Sequence, residues 1–157
     1  MESPTIADVE LTAADRRALL GLAWTTLAAH VAGRPLPSLP AVPGATLERG
    51  AFVTLLERGA LRGCIGHIAA DRALGDVVRE MTVAAARDDP RFPPVAPDEL
   101  GALAVEISVL SVPVPLPVPV EPSRIVVGRH GLIVRRERVS AVLLPQVAAE
   151  HRWSAET

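Results

Sequence analysis

The chain has one cysteine in 157 residues and no lysine. A single thiol excludes an internal disulfide, and without a cysteine cluster no iron–sulfur centre can be held. Every one of the 16 basic residues is Arg, so Schiff-base and phosphate-loop lysine chemistry is excluded, and Gly63-Cys64-Ile65-Gly66 is no phosphate loop. A GC-rich codon bias accounts for the missing lysines. Gly-x-Ser-x-Gly is absent, and His30, His130 and His151 are scattered outside metal-ligand spacing, so neither a metal nor a cofactor is expected. No apolar run approaches the roughly 18 residues that span a bilayer, and Met1-Glu2-Ser3-Pro4 lacks the basic-then-apolar order of a signal peptide. The expectation is a cytoplasmic protein without membrane association. A net charge of −2 offers no general attraction to nucleic acid.

What is present suffices for a core. Apolar residues make up 49% of the chain, which predicts one globular domain over residues 1–157 without a structural staple. Thr12 with Asp15 three residues on predicts a helix over 12–32, with Leu19, Leu20, Leu22, Leu27 and Val31 along one side and Trp24 nearby. Residues 34–50, with four prolines and two glycines, read as an irregular excursion long enough to be a cover or lid. Residues 51–56 and 61–67 read as a hairpin about Glu57-Arg58-Gly59-Ala60. Asp71 is expected to open a helix carrying Leu74, Val77, Val78, Met81 and Ala85, ending before Asp88-Asp89-Pro90. Leu103, Val105, Ile107 and Val109 alternate with Ala104, Glu106, Ser108 and Leu110, the clearest strand signal.

Residues 112–122 carry five prolines, four of them alternating, which predicts an extended arm. Short strands are expected at 126–128, 132–135 and 139–144, the first two joined by a Gly128-Arg129-His130-Gly131 turn. A last helix runs from Pro145-Gln146 to Trp153. Hairpins with separated helices, without regular βαβ alternation, argue for α+β with a largely antiparallel sheet.

The lone thiol sits in Leu61-Arg62-Gly63-Cys64-Ile65-Gly66. On an extended strand Arg62 and Cys64 share a face, and a guanidinium beside a thiol is the setting of a reactive cysteine. Gly63 and Gly66 allow a substrate or another backbone to come close. The bland alternative is an inert thiol packed in the sheet. His67 makes Cys-x-x-His with Cys64, but strand alternation separates them unless the chain bends at Gly66. Asp89 and Arg91 either present polar contacts at the helix exit or satisfy a turn while Phe92 plugs the core. Glu106 is a partner for Arg62 or Arg91, or faces solvent. Gln146 is a cap or a ligand contact. Arg135, Arg136 and Arg138 fit a solvated hairpin tip, since no aromatic platform accompanies them.

Four blocks resemble the AMMECR domain family, component A of the AmmeMemoRadiSam system. They are Gly50 to Leu55, Leu61 to Gly66, Ala84 to Pro94 (with Asp88-Asp89-Pro90-Arg91-Phe92) and Val105 to Ser111. A fifth, Gly131 to Val134 leading to Leu143 to Ala148, extends it. The resemblance implies an α+β fold with the cysteine motif lining a cleft, acting with a Memo-like protein and a radical S-adenosylmethionine enzyme. The family continues past the Pro-Gln-Val helix with a further helical segment and closing strand, so the resemblance also implies a shortened C-terminus, with one wall of the site lacking, or the remainder supplied by a partner or lost. The stretch from Pro113 to Pro119 is richer in proline than the family's loop.

Two functions follow as expectations. In one, a cleft around Arg62 and Cys64 binds a small anionic or acyl substrate, with Cys64 as nucleophile or redox thiol. In the other, the chain is a non-catalytic binding module whose arginines hold a ligand or peptide and whose proline arm docks on a companion. A free-standing thiol peroxidase ranks last for want of a resolving cysteine.

Overall fold

The computed structural model describes residues 10–156. Its chain forms two compact units, the first ending at Val112 and the second beginning at Pro113.

The first unit begins with helix α1, Ala13–Val31. Thr12 caps it as its spacing predicts. The Asp15 amide donates to Thr12 Oγ1 at 3.1 Å, and the Thr12 amide donates to Asp15 Oδ2 at 2.9 Å. Leu19, Leu22 and Leu27 are buried together with Ala23 and Thr26, whereas Leu20 and Trp24 lie exposed at the edge of that stripe. The expectation for Leu20 therefore fails: it lies one position from Leu19 and turns about 100° away from it. Residues 34–50 are no free lid. A short 3-10 turn, Pro43–Thr46, buries Gly44 and Ala45, and the Gly44 amide donates to Asp15 Oδ1 at 2.8 Å.

Strands β1 (Ala51–Glu57) and β2 (Ala60–His67) form the expected hairpin. Arg58 and Gly59 both have positive φ, at 51° and 84°, the backbone of a two-residue turn whose twist matches the strands it joins. Helix α2, Leu74–Arg87, follows. It starts three residues after Asp71, because the Asp71 carboxylate is engaged by His67 Nε2 at 2.6 Å and caps nothing. A 3-10 turn at Pro97–Ala102 leads into β3, Leu103–Val109. The sheet order is β2-β1-β3, antiparallel throughout.

Alternation then sorts the side chains. Ala51, Val53 and Leu55 of β1 are fully buried against α1 and α2, with Ile65, Val105, Ile107 and Val109 packed on the same side. Phe52, Thr54, Cys64, Glu106 and Ser108 fall on the opposite face. Burying a Leu or Val side chain is worth about 1.5–3 kcal/mol, so this contiguous row holds the helices on the sheet.

The second unit has strands β4 (Leu132–Arg136) and β5 (Val139–Leu143), paired as a hairpin, and helix α3, Pro145–Glu150. Residues 126–128 are a turn and no strand. The amides of Arg129 and His130 both donate to the Val126 carbonyl, and His130 Nδ1 accepts from the Val126 amide at 3.1 Å. Helix α3 stops short of Trp153, with Arg152 at φ 54°. Its N-cap is Leu144 without a side-chain bond, so the exposed Gln146 is no cap. Among the described residues no helix is long and apolar enough to cross a membrane.

Candidate functional site

The hydrogen-bond phase of the hairpin decides what Cys64 presents. On the far side of β1, Leu110 donates to Gly50 at 2.9 Å, which fixes Thr54 with its peptide groups toward β3. Cys64, opposite Thr54 in β2, is then a non-hydrogen-bonded pair with side chains close together, and its own N–H points off the sheet edge. Both consequences are present. Thr54 Oγ1 lies 3.2 Å from Cys64 Sγ, and the Cys64 amide donates to Asp89 Oδ2 at 2.9 Å.

Asp89, 3% exposed, is the hub. Besides the Cys64 amide, its carboxylate accepts the Arg91 amide at 3.1 Å, Arg91 Nε at 2.9 Å and Arg91 Nη2 at 2.7 Å. The Arg91 guanidinium, then the Cys64 and Arg91 amides, hold the Asp89 carboxyl well below the usual carboxylate range against the opposing effect of burial. Arg91 is in turn raised, chiefly by Asp89 and in smaller part by the Cys64 side chain. Its own side chain remains about half exposed.

Arg62 lies elsewhere than strict alternation predicts. The register passes from Leu55 opposite Gly63 to Leu56 opposite Leu61, leaving Arg62 as the extra residue of a β-bulge. Its guanidinium grips Glu99 side-on, Nε to Oε1 at 2.7 Å and Nη2 to Oε2 at 3.0 Å. Glu99 raises Arg62, and Arg62 followed by the Ala96 amide lowers Glu99. Arg62 is 7% exposed, and its third nitrogen, Nη1, is buried without a partner. The Phe92 ring meets both arginines, its centroid 5.9 Å from the Arg62 guanidinium carbon and 5.5 Å from that of Arg91.

The two glycines have distinct reasons. A Cβ on Gly63 would meet the Ala85 carbonyl oxygen of α2 at 2.3 Å, and one on Gly66 would meet the Phe52 ring at 2.3 Å. Both make room for the protein's own groups. Glu106 shares the outer face with Thr54 and Cys64 but pairs with neither Arg62 nor Arg91; it is exposed. His67 serves Asp71 and not the thiol. Two hollows, of about 510 and 380 Å³, lie on the charged outer side of α2 and in the groove between α1 and β3; of the candidate site residues only Glu106 borders either, the second. Among the described residues no group of three His, Cys, Asp or Glu side chains converges as a metal site.

Sequence reasoning missed Thr54 and Glu99. Pairing the hairpin about Arg58-Gly59 sets Thr54 opposite Gly63; the bulge at Arg62 moves it opposite Cys64, so no local signal could have found Thr54. Ala96-Pro97-Asp98-Glu99 carries the proline and third-position acid of a helix start, and Glu99 indeed accepts from the Ala96 amide at 2.7 Å.

The fold and the strand-edge motif define an α+β domain whose cysteine strand is anchored by an acidic helix exit. This chain belongs to the AMMECR1 family, whose family model matches residues 20–157. It is 44% identical over 153 residues to a protein of Methanosarcina barkeri, a match covering 92% of this chain and 75% of that one. A protein of Methanothermobacter thermautotrophicus is 44% identical over 145 residues, covering 89% and 76%. The crystal structure of the protein PH0010 from Pyrococcus horikoshii superposes with a TM-score of 0.79 at 37% identity, covering 88% of this chain and 72% of that one.

Proposed function

We propose that the chain is the binding component of a cytoplasmic modification system, acting with a Memo-like protein and a radical S-adenosylmethionine enzyme. Its β2 edge presents Cys64 and Arg91 to a small anionic or acyl ligand. The observation that carries this reading is the Asp89 junction, because one buried carboxylate locks both the Cys64 backbone and the Arg91 guanidinium. The pair is thereby pre-positioned, which lowers the ordering cost of binding. Arg91 keeps Nη1 without a partner among the described residues.

Binding fits better than catalysis by this chain alone. Asp89 already occupies the Cys64 amide, the donor an oxyanion formed at the thiol would need. The group against Sγ is the Thr54 hydroxyl, and His67, the histidine nearest in sequence, is engaged with Asp71.

The test uses thermal shift and intact mass with acetate, succinate and an acetyl thioester as probes. At least one probe raises the melting temperature of the wild-type chain, the rise is lost in Arg91→Met, and Cys64→Ser retains most of it without any acetyl adduct on the wild type. A transient acetyl adduct on Cys64 that turns over would replace the binding reading with a nucleophilic one. A shift indifferent to Arg91→Met would remove the site. Co-elution with the two partner proteins tests the assembly separately.

A further inference from the structure

Arg91 is the outer half of the Asp89 junction, and the turn it sits in fixes its backbone only. The Phe92 amide donates to the Asp89 carbonyl at 3.2 Å, closing a turn with Pro90 at its second position. The Arg91 amide donates to Asp89 Oδ1 inside that turn. The side chain is another matter. It is 54% exposed, and a long arginine regains rotamer freedom whenever it lets go. Asp89 holds Nε and Nη2 along one edge of the guanidinium. Nothing in that grip covers the faces of its plane.

Phe92 supplies a second hold. Its ring is half-buried and within cation–π range of the Arg91 guanidinium, at 5.5 Å. A ring at a turn can swing aside as readily as the arginine beside it, unless it is held in its own right. Here the same ring also lies under Arg62, at 5.9 Å. Arg62 cannot follow a moving ring. Glu99 takes its Nε and Nη2, and its side chain is nine-tenths buried.

Arg62 also has a reason to keep the ring. Its Nη1 is sealed from solvent without a hydrogen-bond partner, and Glu57 acts on it through charge alone. A buried cation with a bare N–H edge favours any negative surface within reach, and the π-face of Phe92 is such a surface. Two cations on one ring would repel each other, but Glu99 neutralises one and Asp89 the other. The contacts therefore run in series from Glu99 through Arg62 and Phe92 to Arg91.

We infer that Phe92 is a positioning residue for the ligand site: its ring, anchored on the buried Arg62, holds the Arg91 guanidinium in the orientation that keeps Nη1 free beside Cys64. This role rests on the reading of Arg91 as the ligand's anchor. A leucine would fill the same volume and leave the arginine loose, because it has no quadrupole.

Heteronuclear spectra of the full chain test this, with the Arg91 Nε–H signal identified by its disappearance in Arg91→Met and with acetate and succinate as probes. Phe92→Leu should raise the rate at which Arg91 Nε–H exchanges with water and weaken probe binding, each about fivefold, which corresponds to about 1 kcal/mol and to one cation–π contact. Phe92→Tyr, which keeps the ring, should match the wild type in both. The Arg62 Nε–H, gripped by Glu99, should keep its wild-type rate throughout, and far-ultraviolet dichroism checks that each variant keeps its helices. Phe92→Leu with wild-type exchange and affinity overturns the inference, while loss of binding in Arg91→Met still upholds the site. Affinity lost with exchange unchanged also overturns it, since the ring would then touch the ligand instead of the arginine. So does Phe92→Tyr as impaired as Phe92→Leu. If neither probe binds the wild type, the reading of the site fails, and the exchange rates alone decide whether the ring holds Arg91.

Discussion

Replacing Gly63 by Ala should separate β2 from α2. The added Cβ would stand 2.3 Å from the Ala85 carbonyl oxygen, and a relaxed carbon–oxygen contact is about 3.3 Å, so strand and helix must part by about 1 Å. The obstacle is backbone on both sides, flanked by the fully buried Val53 and Leu55, and cannot swing aside. The end of α2 also leads into Asp89, whose bond to the Cys64 amide is 2.9 Å; parting by that much takes it outside hydrogen-bonding range. Overpacking costs about 1–3 kcal/mol and a lost bond to a charged group about 1.5–3 kcal/mol, so about 3 kcal/mol is expected in total. Gly66→Ala is the internal comparison, because its Cβ meets the Phe52 ring, a side chain that can turn; about 1 kcal/mol suffices. Gly101→Ala, with nothing within 4 Å, should be neutral. In urea, followed by dichroism at the helix band, an m-value of about 2 kcal/mol per molar puts the Gly63→Ala midpoint about 1.5 M below wild type and Gly66→Ala about 0.5 M below. A Gly63→Ala midpoint equal to or above that of Gly66→Ala would refute the close-approach argument.

Two further outcomes are expected. Asp89, Glu99 and Asp15 all have carboxyls held below their ordinary range, so the stability they contribute is complete above about pH 5, clear of the unfolded values, and is lost as pH falls through their lowered values. The melting temperature should be level from about pH 8 to 5 and fall below about pH 4. Asp89→Asn should cost about 2 kcal/mol at neutral pH yet decline less steeply in acid; an unchanged acid slope would show that Asp89 is not one of the groups responsible. Asp15→Ala, which removes the return bond from the Thr12 amide and the Gly44 tether but keeps the bond from the residue-15 amide to Thr12 Oγ1, should speed tryptic cleavage at Arg49 while α1 stays helical; an equal cleavage rate would show the loop is held by other contacts.

The sequence pattern reached the two elements that carry the motif. Alternation at Leu103 to Val109 and the turn at Arg58-Gly59 placed the sheet, because period and turn chemistry are local. The helix exit at Asp88-Asp89-Pro90 was equally legible, since proline restricts the residue before it. Asp71 misled because a side chain able to cap a helix can instead bond a histidine four residues earlier, and only the fold decides which is nearer. Arg62 misled because one extra residue in a strand breaks the parity that assigns faces. Glu106 found neither arginine because Glu99 and Asp89 reach them from segments whose proximity is not written in spacing.

For the lone cysteine the division is sharp. By itself the sequence determined that Cys64 has no disulfide partner in the chain, stands in a β-hairpin and belongs to the Arg-Gly-Cys-Ile-Gly motif of its family. Only the tertiary structure decided which residues the motif serves. Gly63 admits the Ala85 carbonyl, Gly66 admits the Phe52 ring, Arg62 is committed to Glu99, and the cation tied to the Cys64 backbone is Arg91 through Asp89. Those pairings depend on the approach of α2 and the Pro97–Ala102 turn to the β2 edge, a distance set by packing and not by any local preference of the chain.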